Sequence, residues 1–411
     1  MTCSVIGSAP AGRVRVLRII ARLNAGGPAH HVGILSGRLD PAHYETLLLA
    51  GHVGPGEASL AEIAQRNGAQ LRFVNSLGPE LEPLRDARAL AELVGVMRRF
   101  KPHIIHTHTA KAGIVGRAAA CAACGKRSVI VHTYHGHVLE GYFGPIRAGV
   151  YRTLERAAAR STDCLIGVSQ TTVDDLVRLR IAPRPRFRVI PLGLDLQPFL
   201  ELSGGEGSGL RDQLGVREGV LATFVGRLVP IKRVDVLLRG VAHAHSLGAA
   251  VHLAVVGDGP LRGHLETLAR ELEISAAVSF LGYRRDLTTI AAAADLGVLA
   301  SDNEGTPVSL IELAAAANPV VATDVGGVSE VAPPGTGLLA PRGDFASLGE
   351  AIARLAGDAG ERSAMGLRGR DHVAARYSAE RLVADIDDLY RELLRTKSCR
   401  TSRVGFPHAA A

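Results

Sequence analysis

The sequence predicts an α/β protein with two doubly wound domains, each built on a parallel sheet that helices cover. Short runs of β-branched and aliphatic residues alternate with longer segments of helical period along the 411 residues. These runs form two series, and a stretch rich in proline and glycine at 191–209 separates them. Hydrophobic residues make up 47% of the chain and aromatic residues only 4%, which is typical of an α/β enzyme and excludes a disordered or fibrous chain.

The two series of runs set the predicted domain boundaries. A first domain is predicted at 1–198, a second at 199–380, and a last segment at 381–411. Parallel strands joined by helices end at one edge of their sheet, so we expect the binding loops of both domains at such edges, around a shared cleft. The predicted strands lie at 14–19, 45–49, 70–74, 103–107, 128–133, 163–168 and 186–190, then at 220–225, 251–256, 277–281, 296–299 and 319–322.

Cysteine content and hydropathy indicate a cytoplasmic location. Five cysteines in a chain of this length do not make a disulfide framework. Cys121 and Cys124 have Cys-x2-Cys spacing, but no second pair exists, so we predict packing at a helix end rather than zinc binding. No apolar run is long enough to cross a bilayer, and the first residues lack the pattern of a secretory signal. Residues 1–11 and 398–411 are predicted to be loose ends.

Positive charge is concentrated in the first half of the chain. The formal net charge is +7 overall, but +11 within residues 1–195 and −4 in the remainder. This asymmetry indicates an anionic partner for the first domain, while an arginine-rich solvated surface is an alternative that stays open. Nucleic acid is excluded as a partner because aromatic residues for base stacking are scarce and no recognition motif occurs.

The most informative segment is 301–330, where Glu304 and Glu312 flank the predicted start of a helix. Pro307 suits the first turn of that helix, where a missing N–H costs nothing. Free N–H groups and the positive end of the helix dipole favour a phosphate or a sugar oxygen at this place. The two carboxylates are therefore expected to bind different hydroxyls of one elongated ligand.

Two further segments of the second half run from a strand through a glycine turn into a helix. In 225–235, Arg227 and Lys232 are placed to converge on a diphosphate. The guanidinium of arginine supplies a planar fork of donors, and the ammonium of lysine supplies a mobile point charge. In 255–261, Gly257 and Gly259 form a tight turn, although Gly-x-Gly alone is a weak signal.

The first half repeats this arrangement with histidines. Gly26 and Gly27 precede a helix that carries His30 and His31; helix capping is the default interpretation of these histidines, and contact with an anionic acceptor is the alternative. His106 and His108 alternate onto one face of a strand, but no third ligand lies nearby, so we predict polar residues lining a cleft and no metal site. Lys111 and Arg117 are candidates for an acceptor phosphate.

These motifs resemble those of the retaining glycosyltransferases of family 4, the glycosyl transferases group 1 with the GT-B fold, of the envelope or exopolysaccharide type. The resemblance rests on Glu304-x7-Glu312, on the Gly-Arg-Leu…Lys element with Arg227 and Lys232, and on His135-Gly136, and it covers nearly the whole chain. It departs from the family where Arg233 and Ala317 replace glycine and Leu313 replaces alanine; we interpret the last two as packing variation. The family's last helix braces the first domain, and 379–395 is expected to do so.

The resemblance implies roles for individual residues. Glu304 would bind donor-sugar hydroxyls, Glu312 the ribose diol, Arg227 and Lys232 the pyrophosphate, and His135 the donor sugar at the reacting centre. The implied catalytic residues are His135, Arg227, Lys232 and Glu304; the implied donor contacts are Gly26, Gly27, Gly257, Gly259, Tyr283, Arg284, Gly305, Thr306, Pro307, Val308 and Glu312; the predicted acceptor contacts are His108, Lys111 and Arg117. Arg284 is equally well interpreted as a surface arginine.

The resemblance implies transfer of a hexose or N-acetylhexosamine from a nucleotide diphosphate, with UDP as the expected nucleotide, with retention and without a divalent metal or other cofactor. The acceptor would be a polyprenyl-linked or other envelope glycan precursor at the inner membrane face, with segment 139–144 as an apolar lip. Two alternatives remain: a UDP-sugar epimerase of the same fold, and a non-catalytic sugar-nucleotide-binding protein. A dehydrogenase is disfavoured because no full Gly-x-Gly-x-x-Gly follows the first strand.

Overall fold

The computed structural model describes residues 12–24, 26–54, 59–78, 82–125, 127–136, 144–203, 205–216 and 218–403. The chain divides into two compact units. Unit 1 comprises the chain up to Leu194 together with the part from Ala379 onward, and unit 2 comprises Asp195–Ser378. The sequence-based boundaries after 198 and 380 fall a few residues later. Most of the predicted lip at 139–144, and the ends 1–11 and 404–411, lie outside the described residues.

Strands form where the sequence has short apolar runs, and glycine or proline turns end many of them. In chain order they are β1 (Val14–Ile20), β2 (Tyr44–Ala50), β3 (Gln70–Phe73), β4 (Ile104–His108), β5 (Val129–Tyr134), β6 (Cys164–Gly167), β7 (Phe187–Val189), β8 (Val220–Val225), β9 (Val251–Val256), β10 (Val278–Gly282), β11 (Leu296–Leu299), β12 (Val320–Thr323) and β13 (Gly337–Ala340). Each of the twelve predicted strands is present, and β13 is an addition.

The helices follow the strands as crossover connections. They are α1 (Gly27–Gly37), α2 (Ala61–Arg66), α3 (Pro83–Phe100), α4 (Ala110–Cys124), α5 (Pro145–Arg160), α6 (Gln170–Arg178), α7 (Gln197–Leu200), α8 (Ser208–Gln213), α9 (Val234–Ser246), α10 (Arg262–Glu271), α11 (Leu287–Ala293), α12 (Val308–Ala315), α13 (Val328–Val331), α14 (Phe345–Gly357), α15 (Ala359–Tyr377) and α16 (Ala379–Arg403). Short 3₁₀ turns cover Arg184–Arg186, Pro230–Lys232 and Ser275–Ala277.

Unit 1 is a parallel sheet in the order β3-β2-β1-β4-β5-β6-β7. On one face, residues of β1, β4 and β5 pack against α1 and against Leu382, Ile386 and Tyr390 of α16. On the other face, the sheet packs against α3 and α4. Since successive strand residues point to opposite faces, Leu17 and Ile19 belong to the second core while Val16 belongs to the first. The last helix of the chain is therefore part of unit 1.

Unit 2 is a second parallel sheet, in the order β10-β9-β8-β11-β12-β13. The order reverses between β8 and β11, so the loops after these two strands open at the switch point where α/β sheets bind ligands. In both units the order of strands is that of a doubly wound sheet, as the sequence predicted.

Two smaller expectations can be compared with the described residues. Cys121 is exposed at the end of α4, so the predicted packing role is wrong for this residue, because its side chain faces solvent. Among the helices within the described ranges, none combines the length and the hydropathy that a membrane span requires.

Candidate functional site

Unit 2 brings Lys232 and Glu304 together at the switch point of its sheet. Lys232 ends the 3₁₀ turn after β8, and Glu304 lies in the loop between β11 and α12. Lys232 Nζ is 2.5 Å from Glu304 Oε1, which also accepts a hydrogen bond of 2.6 Å from Ser301 Oγ. Both charged side chains are mostly buried. The pair is therefore a fixed, partly desolvated charge centre rather than a loose surface contact.

The backbone of Glu304 is held by a pair of glycines that sequence reasoning missed. Gly326 has φ +53°, and a Cβ at this position would lie 1.8 Å from the carbonyl oxygen of Glu304. The N–H of Gly327 donates to the same carbonyl at 3.2 Å. Only glycine permits so close an approach in this conformation. The Val-Gly-Gly sequence just after the strand at 319–322 was the available signal.

Gly257 and Gly259 interlock with the loop that carries Arg227. A Cβ on Gly257 would lie 1.9 Å from the carbonyl oxygen of Gly226, and one on Gly259 would lie 2.5 Å from that of Leu228. Leu228 donates its N–H to the carbonyl of Asp258 at 3.0 Å. Arg227 is exposed beside this junction, and its guanidinium has no partner among the described residues. The two glycine turns therefore form one rigid support for a free cation.

Polar groups at the start of α12 lack partners. Pro307 occupies the N-cap, no side chain in the described part of the chain caps the helix, and the first N–H groups of α12 have no acceptor there. Thr306 Oγ1 is buried without a hydrogen-bond partner in the described part of the chain. Gly305 precedes Thr306 in the loop, and Val308 is the first residue of α12. Buried polar groups are normally hydrogen-bonded, so this end of α12 has the character of a binding site without its ligand.

Glu312 lies one turn into α12 with no hydrogen bond or ion pair to any described residue. Burial raises the pKa of its carboxyl group to about 8. At neutral pH the ligand-free structure therefore holds mainly the protonated acid, and a ligand that supplies hydrogen-bond donors would favour the carboxylate.

Other predicted residues of unit 2 have more ordinary surroundings. Tyr283 is exposed, and Arg284 is paired with Asp286 at 2.5 Å, in keeping with the surface interpretation. Arg233, which stands in place of a glycine, has φ +47° and is paired with Asp235 and Asp302. Its positive φ gives the physical reason for glycine at this place in the motif.

In unit 1, three histidines meet at the carboxyl edge of the sheet. His108 ends β4, His135 follows β5, and His31 projects from α1, whose N-cap is Gly26. His108 Nδ1 lies 3.1 Å from His135 Nε2, and the ring centres of His31 and His135 are 4.8 Å apart. The suggestion that His31 caps the helix is wrong, because its ring is buried inside this cluster.

The cluster is electrically neutral near pH 7. Burial lowers the pKa of His135 to about 3, and burial followed by neighbouring positive charge lowers the pKa of His31 and of His108 well below the usual value. Both ring nitrogens of His31 and one each of His108 and His135 lack a partner within the described ranges. The three rings are thus able to exchange hydrogen bonds with hydroxyl groups.

Lys111 and Arg117 are not placed to bind an acceptor. Lys111 Nζ lies 2.6 Å from Asp86 Oδ1, and Arg117 Nη2 lies 2.6 Å from Glu155 Oε2, with all of Arg117 and Glu155 buried. Tyr134 also donates to Glu155 at 2.7 Å. The acceptor assignment for these two cations is therefore wrong, because each neutralises a carboxylate between helices of unit 1.

A chain of buried polar residues, which was not predicted from the sequence, lies beneath the histidines. Arg18 is fully buried on β1 and donates to the hydroxyl of Tyr390 on α16 at 3.3 Å. That hydroxyl is 2.7 Å from His106 Nδ1, and His106 Nε2 is 2.7 Å from Thr133 Oγ1. The only available signal was a polar residue in the middle of each of two apolar strands.

Two Rossmann-like parallel-sheet units are the architecture of the GT-B fold. The structure of Anabaena Alr3699/HepE in complex with UDP and glucose has the same fold, with a TM-score of 0.78 and 20% identity over 92% of this chain and 100% of that one. The family model "Glycosyltransferase Family 4" matches residues 25–198, and "Glycosyl transferases group 1" matches residues 219–358. The chain belongs to this family of glycosyltransferases.

Two curated relatives are similar over much of the chain. A GDP-mannose-dependent monoacylated alpha-(1-6)-phosphatidylinositol monomannoside mannosyltransferase of Corynebacterium glutamicum is 30% identical over 273 residues, which is 64% of this chain and 70% of that protein. The UDP-Gal:alpha-D-GlcNAc-diphosphoundecaprenol alpha-1,3-galactosyltransferase of Escherichia coli is 28% identical over 330 residues, or 79% of this chain and 84% of that protein. An envelope polysaccharide role is consistent with these relatives.

Proposed function

We propose that the protein is a retaining glycosyltransferase that moves a hexose or N-acetylhexosamine from a UDP-sugar to a lipid-linked acceptor in envelope polysaccharide synthesis. The observation that carries this proposal is the Lys232–Glu304 pair, in which Lys232 reaches from the turn after β8 to Glu304 in the loop before the uncapped start of α12. A cation, a carboxylate and free N–H groups together match a sugar diphosphate, whose phosphates need positive partners and whose sugar offers hydroxyls.

The donor would occupy the carboxyl edge of the unit 2 sheet. Arg227 and Lys232 would bind the diphosphate, Glu304 would accept hydrogen bonds from sugar hydroxyls, and Glu312 would hold the ribose diol. Thr306 Oγ1 and the N–H groups of α12 would complete the phosphate contacts. UDP is favoured because the HepE neighbour was solved with UDP and because the Escherichia coli relative is named for UDP-Gal.

Transfer would break the bond between the anomeric carbon and the diphosphate oxygen. The acceptor hydroxyl would form the new bond on the same face of the sugar, and its proton would pass to an oxygen of the departing UDP. Arg227 and Lys232 would stabilise the negative charge that develops on the leaving diphosphate. For His135 we propose the donor-sugar contact that the family resemblance implies. No divalent metal is proposed, since cationic side chains would take its role.

The acceptor is proposed from the chemistry of the relatives. The Escherichia coli enzyme is named for a diphosphoundecaprenol-linked sugar and the Corynebacterium glutamicum enzyme for a phosphatidylinositol mannoside, so both act on lipid-linked anionic acceptors. The net charge of +11 in residues 1–195 is complementary to such molecules. We place the reaction at the cytoplasmic face of the membrane.

The test combines a donor screen with product analysis. UDP-, GDP- and ADP-sugars are added to the full chain in a thermal-shift assay, where a ligand at about 100 times its Kd stabilises the native state by roughly 2.7 kcal/mol. The selected donor is then incubated with a polyprenyl-diphosphate-linked sugar, and NMR determines the anomeric configuration of the product. An inverted anomer would refute retention, and epimerised donor without transfer would favour the epimerase alternative.

A further inference from the structure

Helix α5 presents an unusual apolar surface to solvent. Ile146, Val150 and Leu154 are spaced four residues apart and therefore share one face of the helix. Their exposed fractions are 84%, 49% and 36%, whereas Tyr151 and Ala159 on the opposite face are buried in the core of unit 1. Single exposed apolar residues are common, but three in one row along a helix mark an interaction surface.

The same helix carries only positive charge on its accessible side. It contains four arginines and a single carboxylate, Glu155. Glu155 is 1% exposed and is held by Arg117 and Tyr134, so it contributes no negative charge to the surface. Helical spacing places Arg147 on one side of the apolar row and Arg152, Arg156 and Arg160 on the other.

A cavity of about 430 Å³ opens beside the C-terminal half of α5. Arg156 and Arg160 of α5 line it together with Arg180 and Arg186, and its lining contains no acidic residue. Arg156 and Arg186 also donate to backbone carbonyls at the ends of α6 and α5, through Leu179 and Ala159, which fixes their positions. The cavity therefore holds four guanidinium groups without a counter-charge in its wall.

We propose that α5 docks on an anionic phospholipid bilayer, with its apolar row at the boundary of head groups and acyl chains and the four-arginine cavity receiving a lipid phosphate. This inference deepens the proposed function, on which it rests, by naming the surface of unit 1 that meets the membrane holding the acceptor. A helix with an apolar face flanked by arginines lies in the interface plane and does not span the bilayer.

Charge complementarity selects the bilayer over other occupants. A second copy of the chain would bring an identical row of arginines against this one, and like charges would oppose the contact. An acidic protein would neutralise the arginines but would not require a continuous apolar row that faces solvent. An anionic bilayer supplies both a negative surface and an apolar layer beneath it.

Binding of the full chain to vesicles tests the proposal. Co-sedimentation is measured without donor or acceptor, with phosphatidylcholine vesicles and with vesicles that also contain phosphatidylglycerol. We expect wild type to bind the anionic vesicles at least about tenfold more tightly, and high salt to weaken this binding. The double variant I146Q/V150Q is expected to bind at least about tenfold more weakly, because its apolar contact is lost.

A second variant removes charge without touching the arginines that cap helices. R152Q/R160Q is expected to lose about 25-fold in affinity for anionic vesicles, on the basis of roughly fivefold for each arginine. The matched controls are L247Q/L367Q, which replaces two leucines of unit 2 exposed to 54% and 55%, and R98Q/R99Q, which removes two exposed arginines from α3. Both controls are expected to stay within about twofold of wild type.

Two results would overturn the proposal. The first is that the α5 variants bind anionic vesicles as tightly as wild type does. The second is that wild type does not bind vesicles but forms a dimer in light scattering, and that the substitutions I146Q/V150Q dissociate this dimer. Donor stabilisation in the thermal-shift assay is measured on the same proteins and is expected to be unchanged. An α5 variant that loses vesicle binding but keeps donor binding supports the proposed role of α5. Absence of donor binding in the wild-type protein would instead contradict the proposed enzyme activity.

Discussion

The hydroxyl of Tyr390 lies 2.7 Å from His106 Nδ1, although 284 positions separate the two residues. The same hydroxyl accepts a hydrogen bond from the buried Arg18, so one atom of α16 satisfies polar groups on two neighbouring strands, β1 and β4. Because Arg18 and His106 are adjacent in the parallel register, the contact joins the last helix to the centre of the unit 1 sheet.

Removal of this hydroxyl is expected to destabilise unit 1. Tyr390→Phe keeps the packing of the ring but leaves His106 Nδ1 and a nitrogen of Arg18 unsatisfied in the interior, which costs about 1–3 kcal/mol. Urea unfolding measures the loss. Tyr283→Phe, which removes a hydroxyl from an exposed ring, is the control and should change the free energy of unfolding by less than about 0.5 kcal/mol. Equal effects of the two changes would show that Tyr390 acts through packing alone.

The ion pair of Lys232 and Glu304 gives a prediction for activity. Lys232→Ala removes the cation proposed to stabilise the leaving diphosphate, and we expect turnover to fall by about 10²–10³-fold. Arg239→Ala removes an exposed arginine from α9 in the same unit and should leave turnover unchanged. Steady-state kinetics with the selected donor measures both. Turnover in Lys232→Ala within a factor of a few of wild type would rule out the proposed role.

The sequence was sufficient to predict the parts of the candidate site that depend on local pattern. The strand ends that carry Arg227, Glu304, His108 and His135 followed from apolar runs and glycine turns, because those signals extend over only a few residues. It was insufficient for β13, because residues 337–340 contain no β-branched side chain and begin with a glycine.

Ion pairs between residues that are far apart in sequence could not be predicted from local pattern. Lys111 and Arg117 were predicted to bind an acceptor phosphate because they follow a strand end whose polar residues were expected to line a cleft. Their partners Asp86 and Glu155 come from α3 and α5, which only the packing of helices brings close. For the same reason the sequence indicated a diphosphate for Lys232 but not its ion pair with Glu304, 72 positions away.

Ala317 offers a test of backbone strain. It was interpreted as packing variation, but its φ is +62°, and hydrogen bonds from Ala317 N–H to Ala314 and from Asn318 N–H to Leu313 form the C-terminal motif that favours glycine. The earlier interpretation is wrong because the strain is in the backbone. Ala317→Gly is expected to stabilise the protein by about 0.5–1 kcal/mol, after the greater freedom of glycine in the unfolded chain is allowed for.

The neighbouring residue is the control for this prediction. Ala316 has φ −83°, a value that alanine adopts without strain. Ala316→Gly should therefore destabilise by about 0.5–1 kcal/mol, so the two changes are expected to have opposite signs in urea unfolding. Destabilisation by both would show that residue 317 bears no strain.

Glu312 is expected to make stability depend on pH. Its carboxyl has a folded-state pKa of about 8, against an ordinary value of 4.5, so between these values the native state binds a proton that the unfolded state has lost. The stabilising contribution is therefore full below about pH 4.5, falls as pH rises and is gone above about pH 8. Glu312→Gln should remove this slope and be more stable than wild type at about pH 8.5, by at most a few kcal/mol.

Donor binding should respond to Glu312 in the opposite direction. If the carboxylate accepts hydrogen bonds from the ribose diol, wild-type affinity for the donor rises as pH increases towards about 8, because the ionised form becomes available. Glu312→Gln should bind the donor at least about tenfold more weakly and without this rise, while the exposed Glu350→Gln should behave as wild type. Calorimetric titration across this pH range measures all three proteins. If Glu312→Gln is more stable than wild type at high pH and yet binds the donor as tightly, Glu312 does not bind the ribose. Its burial would then have no functional reason.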